Sequence, residues 1–167
     1  MKKKTALLAA AVLLLCVLVL ALAYTRPRSI EERCPALDLS ECVGIHGYYR
    51  AGVGDALHSF SIHPGEEDFE EMITLFREAS FRTRLRNLLP GGTKIHTGEG
   101  FQWDISFEFE GVPFMKDGSM AHGDLLTVNN FFGDLELRFI DETTRCSVGG
   151  GDAWLKQVLE IAVGHGD

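Results

Sequence analysis

The stretch F-Q-W-D-I-S-F-E-F-E, residues 101–110, decides the fold. Phe101, Trp103, Ile105, Phe107 and Phe109 fall on one face of a strand, and Gln102, Asp104, Ser106, Glu108 and Glu110 on the other. So clean an alternation describes a sheet with one buried and one wet face, the usual situation of antiparallel strands. The aromatic face has to be covered by something.

Working outward, the chain supplies both more strands and the cover. Cys42–Arg50 and residues 57–62 read as two strands joined across A-G-V-G-D, a glycine-bearing connector that suits a hairpin. Further strands are expected at 112–114, 125–129, 135–140 and 144–148, with turns at Lys116-Asp117-Gly118 and Gly133-Asp134. Between them stand two amphipathic helices. In the first, Phe69, Met72, Ile73 and Phe76 make an i, i+3, i+4, i+7 stripe behind Pro64, and Asp68 with Glu71 fits a capping box. Its acids crowd the start while Arg77 and Arg82 stand at or past the end, which suits the helix dipole. In the second, Asp152 caps, Trp154, Leu155, Val158, Leu159 and Ala162 line one side, and Gly164 closes. These elements predict an α+β domain of two layers, one antiparallel sheet packed by two helices.

Ahead of that domain, Lys2, Lys3 and Lys4 precede an unbroken run of 18 apolar residues from Ala6 to Ala23. Basic residues, an apolar stretch and Ala21-Leu22-Ala23 describe a secretory signal cut before Tyr24. The run is also long enough, roughly 27 Å as a helix, to stay as an anchor. Residues 1–24 are therefore a signal peptide or a transmembrane anchor, residues 25–40, with two prolines and mixed charge, a tether, and residues 41–167 one domain. The lysines in front favour an inside N-terminus and a domain outside the cytoplasm. Cys16 lies in mid-span behind Leu13-Leu14-Leu15, not behind the small residue a lipoprotein signal needs, and reads as an apolar cysteine of the helix.

The net charge of −8 becomes −11 once Lys2, Lys3 and Lys4 are removed with the leader. So acidic a surface repels nucleic acid, and nucleic-acid binding is excluded. Three cysteines follow the leader, in a compartment that permits disulfides. At most one intramolecular bridge can form. Cys34–Cys42 closes the shorter loop and is preferred, with Cys42–Cys146 the other pairing. No C-x-x-C exists, so neither a redox motif nor structural zinc is expected.

Chemistry-bearing patterns are few. Asp104, Glu108 and Glu110 share the wet face of the long strand, which suits paired carboxylates of a hydrolase and equally a solvated surface. The six histidines show neither H-x-x-x-H nor H-E-x-x-H spacing. Ser119, His122 and Asp124 crowd one glycine-bearing loop, too close in sequence to reach triad geometry easily. Gly149-Gly150-Gly151 runs into a helix, but Asp152 behind it would repel a phosphate. The basic residues Arg77, Arg82, Arg84, Arg86 and Lys94 stand out against the acidic domain, and Arg82, Arg84, Arg86 and Lys94 are the candidate binding residues, for an anionic polymer, a headgroup or an acidic partner. Met115, Met120, Phe131 and Phe132 mark the loop 112–134 as a binding surface where exposed and as core where buried.

F-R-T-R-L-R-N-L-L-P, residues 81–90, and N-N-F-F-G-D-L-E-L-R-F, residues 129–139, behind a basic signal-anchor, resemble small uncharacterised signal-anchored extracytoplasmic proteins of Gram-positive bacteria. The resemblance implies a location and no activity. The sequence thus predicts a membrane-tethered or secreted binding module outside the cytoplasm, not an enzyme and without a cofactor. Its partners are the membrane, through the N-terminal segment, and a cell-surface protein or anionic polymer. The alternatives are a cell-envelope hydrolase using Asp104, Glu108 and Glu110, or an accessory subunit of a membrane complex. For the subunit, Ala6 to Ala23 offers neither a polar residue nor G-x-x-x-G to hold a neighbouring helix.

Overall fold

Among the described residues seven strands pair into one antiparallel sheet: β1 (Cys42–Arg50), β2 (His58–Ile62), β3 (Phe81–Thr83), β4 (Gln102–Phe109), β5 (Gly123–Asn129), β6 (Leu135–Phe139) and β7 (Glu142–Val148). Their order across the sheet is β2-β1-β4-β5-β6-β7-β3. The computed structural model describes residues 2–35, 37–50, 52, 54–85, 101–110, 123–130, 135–139 and 142–166. Among the described residues four α-helices accompany the strands: α1 (Lys2–Thr25) and α2 (Ile30–Arg33) before the sheet, α3 (Glu67–Glu78) between β2 and β3, and α4 (Gly151–Gly164) after β7. The protein is α+β, as its alternating and helical periods require. The expected strand at 112–114, the turns at 116–118 and 133–134, and Met115, Met120, Phe131 and Phe132 lie outside the described residues.

The long aromatic strand sits near the middle of the sheet, and its apolar side chains are buried. Trp103, Ile105, Phe107 and Phe109 are all within 3% of full burial. Register carries that face sideways, because residues opposite each other across antiparallel strands point the same way. Ile45 stands opposite Phe107, Leu126 opposite Phe107 on the other side, and Leu137 opposite Val128. Helices α3 and α4 close this face. Phe76 of α3 meets Phe107 edge-on at 4.8 Å and Trp154 of α4 at 5.0 Å.

The stripe Phe69, Met72, Ile73 and Phe76 is buried as its spacing dictates. The start of α3 differs from expectation. Its N-cap is Glu66, and no side chain caps it. Glu66 instead accepts the His63 backbone N–H at 3.1 Å, and Asp68 meets His165 Nε2 at 2.8 Å, tying α3 to the end of α4. The capping box occurs at α2, where Ser29 Oγ accepts from Glu32 N and Glu32 Oε2 accepts from Ser29 N. Helix α4 begins behind a tight turn with Gly150 at φ 80° and Gly151 at φ 48°, a backbone that glycine adopts without penalty. Asp152 is inside its first turn and makes no cap, and its buried residues are Trp154, Val158, Ile161 and Ala162, with Leu155 and Leu159 half-buried.

The prolines and charges of 25–40 conceal a part of the domain. Arg28 exchanges both backbone hydrogen bonds with Phe81, at 3.0 and 2.8 Å, adding a bridge to the free edge of β3. Ile30, Leu37 and Leu39 are buried in the core. The chain therefore enters the domain within a few residues of the end of α1.

The expected Cys34–Cys42 bridge is not formed; Cys34, Cys42 and Cys146 are thiols. Cys42 opens β1, where its Sγ donates to Gly44 O at 3.2 Å, and burial pushes its pKa up to about 11, so it stays protonated near neutral pH. Cys34 follows α2 at the β3 edge, across the sheet from β1. The other pairing, Cys42–Cys146, would have to span four strand spacings between β1 and β7, about 19 Å. A disulfide tolerates Cα atoms no more than about 7 Å apart.

Helix α1 is exposed along its length and is long and apolar enough to cross a membrane. It continues unbroken through Ala21-Leu22-Ala23 to Thr25, whose hydroxyl donates to Ala21 O at 2.8 Å.

Candidate functional site

Strand pairing sorts the polar residues into rows across the face of the sheet opposite α3 and α4. One row runs Ser59, Tyr48, Asp104, Asn129, Glu136 and Arg145. Its neighbour runs Ser61, His46, Ser106, Thr127, Arg138 and Thr143. Arg50 opposite Gln102 and Arg82 opposite Ser147 extend the same face at its two ends. Among the described residues, no helix packs on it.

The face is ordered by its own polar contacts. Arg50 Nε donates to Gln102 Oε1 at 2.6 Å, and its Nη2 donates to the same oxygen. Arg145 Nε meets Glu136 Oε2 at 3.4 Å. Ser106 and Thr127 hydroxyls share a hydrogen bond of 3.1 Å in the buried middle of the face. Burial pushes the Tyr48 phenol above its usual value, and the Asp104 carboxylate adds to this, while Arg138 and Arg50 oppose it. Tyr48 therefore stays protonated and able to donate.

Charge divides between the layers. The sheet face carries Arg50, Arg82, Arg138 and Arg145 against Asp104, Glu108 and Glu136. Helix α3 carries Glu67, Asp68, Glu70, Glu71 and Glu78 against Arg77 alone, and α4 adds Asp152 and Glu160 against Lys156. Among the described side chains, α3 and α4 are thus strongly acidic and the sheet face is close to balance, four arginines against three carboxylates. That is where an anionic or mixed-charge partner meets least repulsion.

The candidate residues are placed unevenly. Arg82 projects from β3 onto this face, and Arg84, exposed, follows β3. Arg86 and Lys94 lie outside the described residues. Arg77 belongs to the helix layer, 3.7 Å from Glu31, and is no part of the face. Asp104 and Glu108 are four residues apart on β4, about 13 Å along the strand. Glu110 lies past its end and is exposed. Carboxylates of glycosidases stand about 5–9.5 Å apart, so Asp104 and Glu108 are too far apart along the strand, while Glu108 and Glu110, two residues apart at about 7 Å, fall inside that range. Glu108 stands directly opposite Asp124 of β5, about 5 Å away between Cα atoms, while Asp104 and Glu136 are two strands apart at about 10 Å and Glu136 is engaged by Arg145.

Ser119, His96 and His122 lie outside the described residues. His58 stacks on Tyr49 at 5.3 Å, and His165 serves the α3–α4 junction. Among the described residues no three His, Cys, Asp or Glu side chains gather as metal ligands do. Gly149-Gly150-Gly151 forms a strand-to-helix turn with Asp152 at its mouth, the wrong charge for a phosphate. Sequence reasoning missed Tyr48, Asn129, Glu136, Arg138 and Arg145, which become neighbours only through strand order. No family model, curated protein or solved structure matches the chain.

Proposed function

We propose that the protein is a binding module held at the outer face of a membrane by an uncut α1, with the polar face of the sheet as its contact surface. The segregation of charge carries this reading. Four arginines and the half-buried Tyr48 share one sheet face with three carboxylates, and no described helix packs on it, while α3 on the opposite layer carries five acids against one arginine. Such a surface suits a cell-surface protein with an acidic patch or an anionic polymer. The tether reading is supported by the length and apolarity of α1, which suffice to cross a membrane. The lysines ahead of α1 favour the domain outside.

Photo-crosslinking side chains placed one at a time at exposed Arg138, Ser59 and Ser61, or at exposed Glu70 and Thr74 on α3, test the surface in intact cells. Cross-linked product from the sheet positions and about tenfold less from the α3 positions is the expected pattern. Equal product from both layers, or product from α3 alone, contradicts the assignment.

A further inference from the structure

Where α1 meets the domain, two concavities share one wall, Tyr24. On its domain side Tyr24, Thr83, Thr143, Thr144 and Arg145 line a cavity of about 370 Å³. Four hydroxyl-bearing residues and Arg145, which also meets Glu136, thus line this space, and among the described residues no carboxylate lines it. On the helix side Val17, Leu20, Ala21 and Leu85 line an apolar concavity of about 670 Å³, with Tyr24 and Arg28 at its border. Leu85 is a half-exposed leucine standing beside a membrane-length helix.

Behind the Thr83 wall lies Arg33. Its Nη1 donates to Thr83 Oγ1 at 2.9 Å and its Nη2 to Phe81 O. Its Nε is buried without an acceptor among the described residues. Burial lowers its pKa, and the groups that act on its charge are Cys146, Arg28, Cys34 and Tyr24. None of these is a carboxylate. A half-buried guanidinium that meets no carboxylate among the described residues is costly, and an anion reaching it would offset that cost. Guanidinium and hydroxyl donors together match the oxygens of a phosphate ester. Tyrosine at the end of an apolar span sits at headgroup level.

We propose that these two concavities hold one anionic phospholipid of the membrane that α1 crosses. Its acyl chain lies along Val17, Leu20 and Leu85, and its phosphate diester lies among Tyr24, Thr143, Thr144 and Arg145, in the field of Arg33. The site rests on the tether reading above. It fixes the tilt of the domain on the membrane and so the direction in which the polar sheet face looks.

The test uses the full chain in nanodiscs of equal phosphatidylglycerol and phosphatidylcholine, with native mass spectrometry of the released protein. One phosphatidylglycerol should remain on the chain, about tenfold over phosphatidylcholine, and Arg33→Gln should lower that retention about fivefold or more. Should Arg33→Gln fail to fold, the surface variant Thr143→Val with Thr144→Val decides, with about a two- to fivefold loss expected at an unchanged melting temperature. Equal retention of the two lipids, or retention unaltered in both variants, overturns the site. Glycerol 3-phosphate held by the detergent-solubilised chain as tightly as the lipid would make a soluble ester the ligand and overturn the lipid assignment. A chain absent from the nanodiscs sinks the tether and the site together, whereas a nanodisc-bound chain without lipid preference sinks the site alone.

Discussion

Gly47→Ala is expected to cost at least about 4 kcal/mol, a loss reserved for substitutions the fold cannot absorb. A Cβ on Gly47 would stand 2.1 Å from the Asp104 carbonyl oxygen and 3.0 Å from Phe60 Cε1. The first is backbone and cannot swing aside. β1 lies between β2 and β4, so Gly47 faces Phe60 on one side and Ile105 on the other, and both ladders would have to open. The same close approach sets Tyr48 beside Asp104 at the centre of the polar face, so the variant should lose the site with the sheet. Gly44→Ala is the control. Its Cβ would meet Glu108, the Oε2 at the free end of that flexible side chain at 3.2 Å and the Cβ at an ordinary contact distance of 3.8 Å. That substitution should cost less than about 1 kcal/mol. Urea unfolding of both variants decides, and equal losses at the two glycines would contradict the packing of β1 on β4.

The second large effect falls on Trp154. It is 7% exposed, meets Phe76 at 5.0 Å and Phe81 at 6.1 Å, both edge-on, and so joins α4 to α3 and to the edge strand β3. Its indole N–H donates to Leu75 O at 3.0 Å. Leu75 carries one of the last four carbonyls of α3, which have no partner within their own helix. Trp154→Ala should therefore cost about 3–5 kcal/mol, the range for a large buried aromatic. Trp154→Phe keeps most of the packing but leaves the Leu75 carbonyl without its donor, and should lose about 1 kcal/mol of its own on that account. A near-zero loss for Trp154→Ala would mean that α4 does not close the core.

Much of this fold is visible in the chain because burial imposes a period. The alternation of 101–110 gave β4, and the stripe from Phe69 to Phe76 gave α3, each with its buried face correct. Ends were less legible, since caps depend on which contacts compete for a side chain: Asp68 went to His165, not to its own helix. Residues 25–40 were hidden by Pro27, Pro35 and mixed charge, although Ser29-Ile-Glu-Glu32 carried a capping signature that marks a helix start. Arg82 and Asp104 stood out singly, but nothing local in the sequence joins Tyr48 to Glu136 and Arg145. That row exists only once β1, β4, β5, β6 and β7 take their order. The disulfide failed for the same reason, because separation along the chain says little about separation across a sheet. Arg33 gives no local signal; that it meets a hydroxyl and a carbonyl but no carboxylate among the described residues follows from which groups the fold sets around it.

A tethered binding module requires that α1 stays on the chain and holds the polar face outside the membrane. Intact-mass measurement of the protein from the membrane fraction, with and without protease applied to whole cells, addresses this directly. The expected result is an uncut chain carrying residues 2–25, with the domain lost when protease is applied from outside. A mature N-terminus at Tyr24, or a domain that external protease cannot reach, would contradict it.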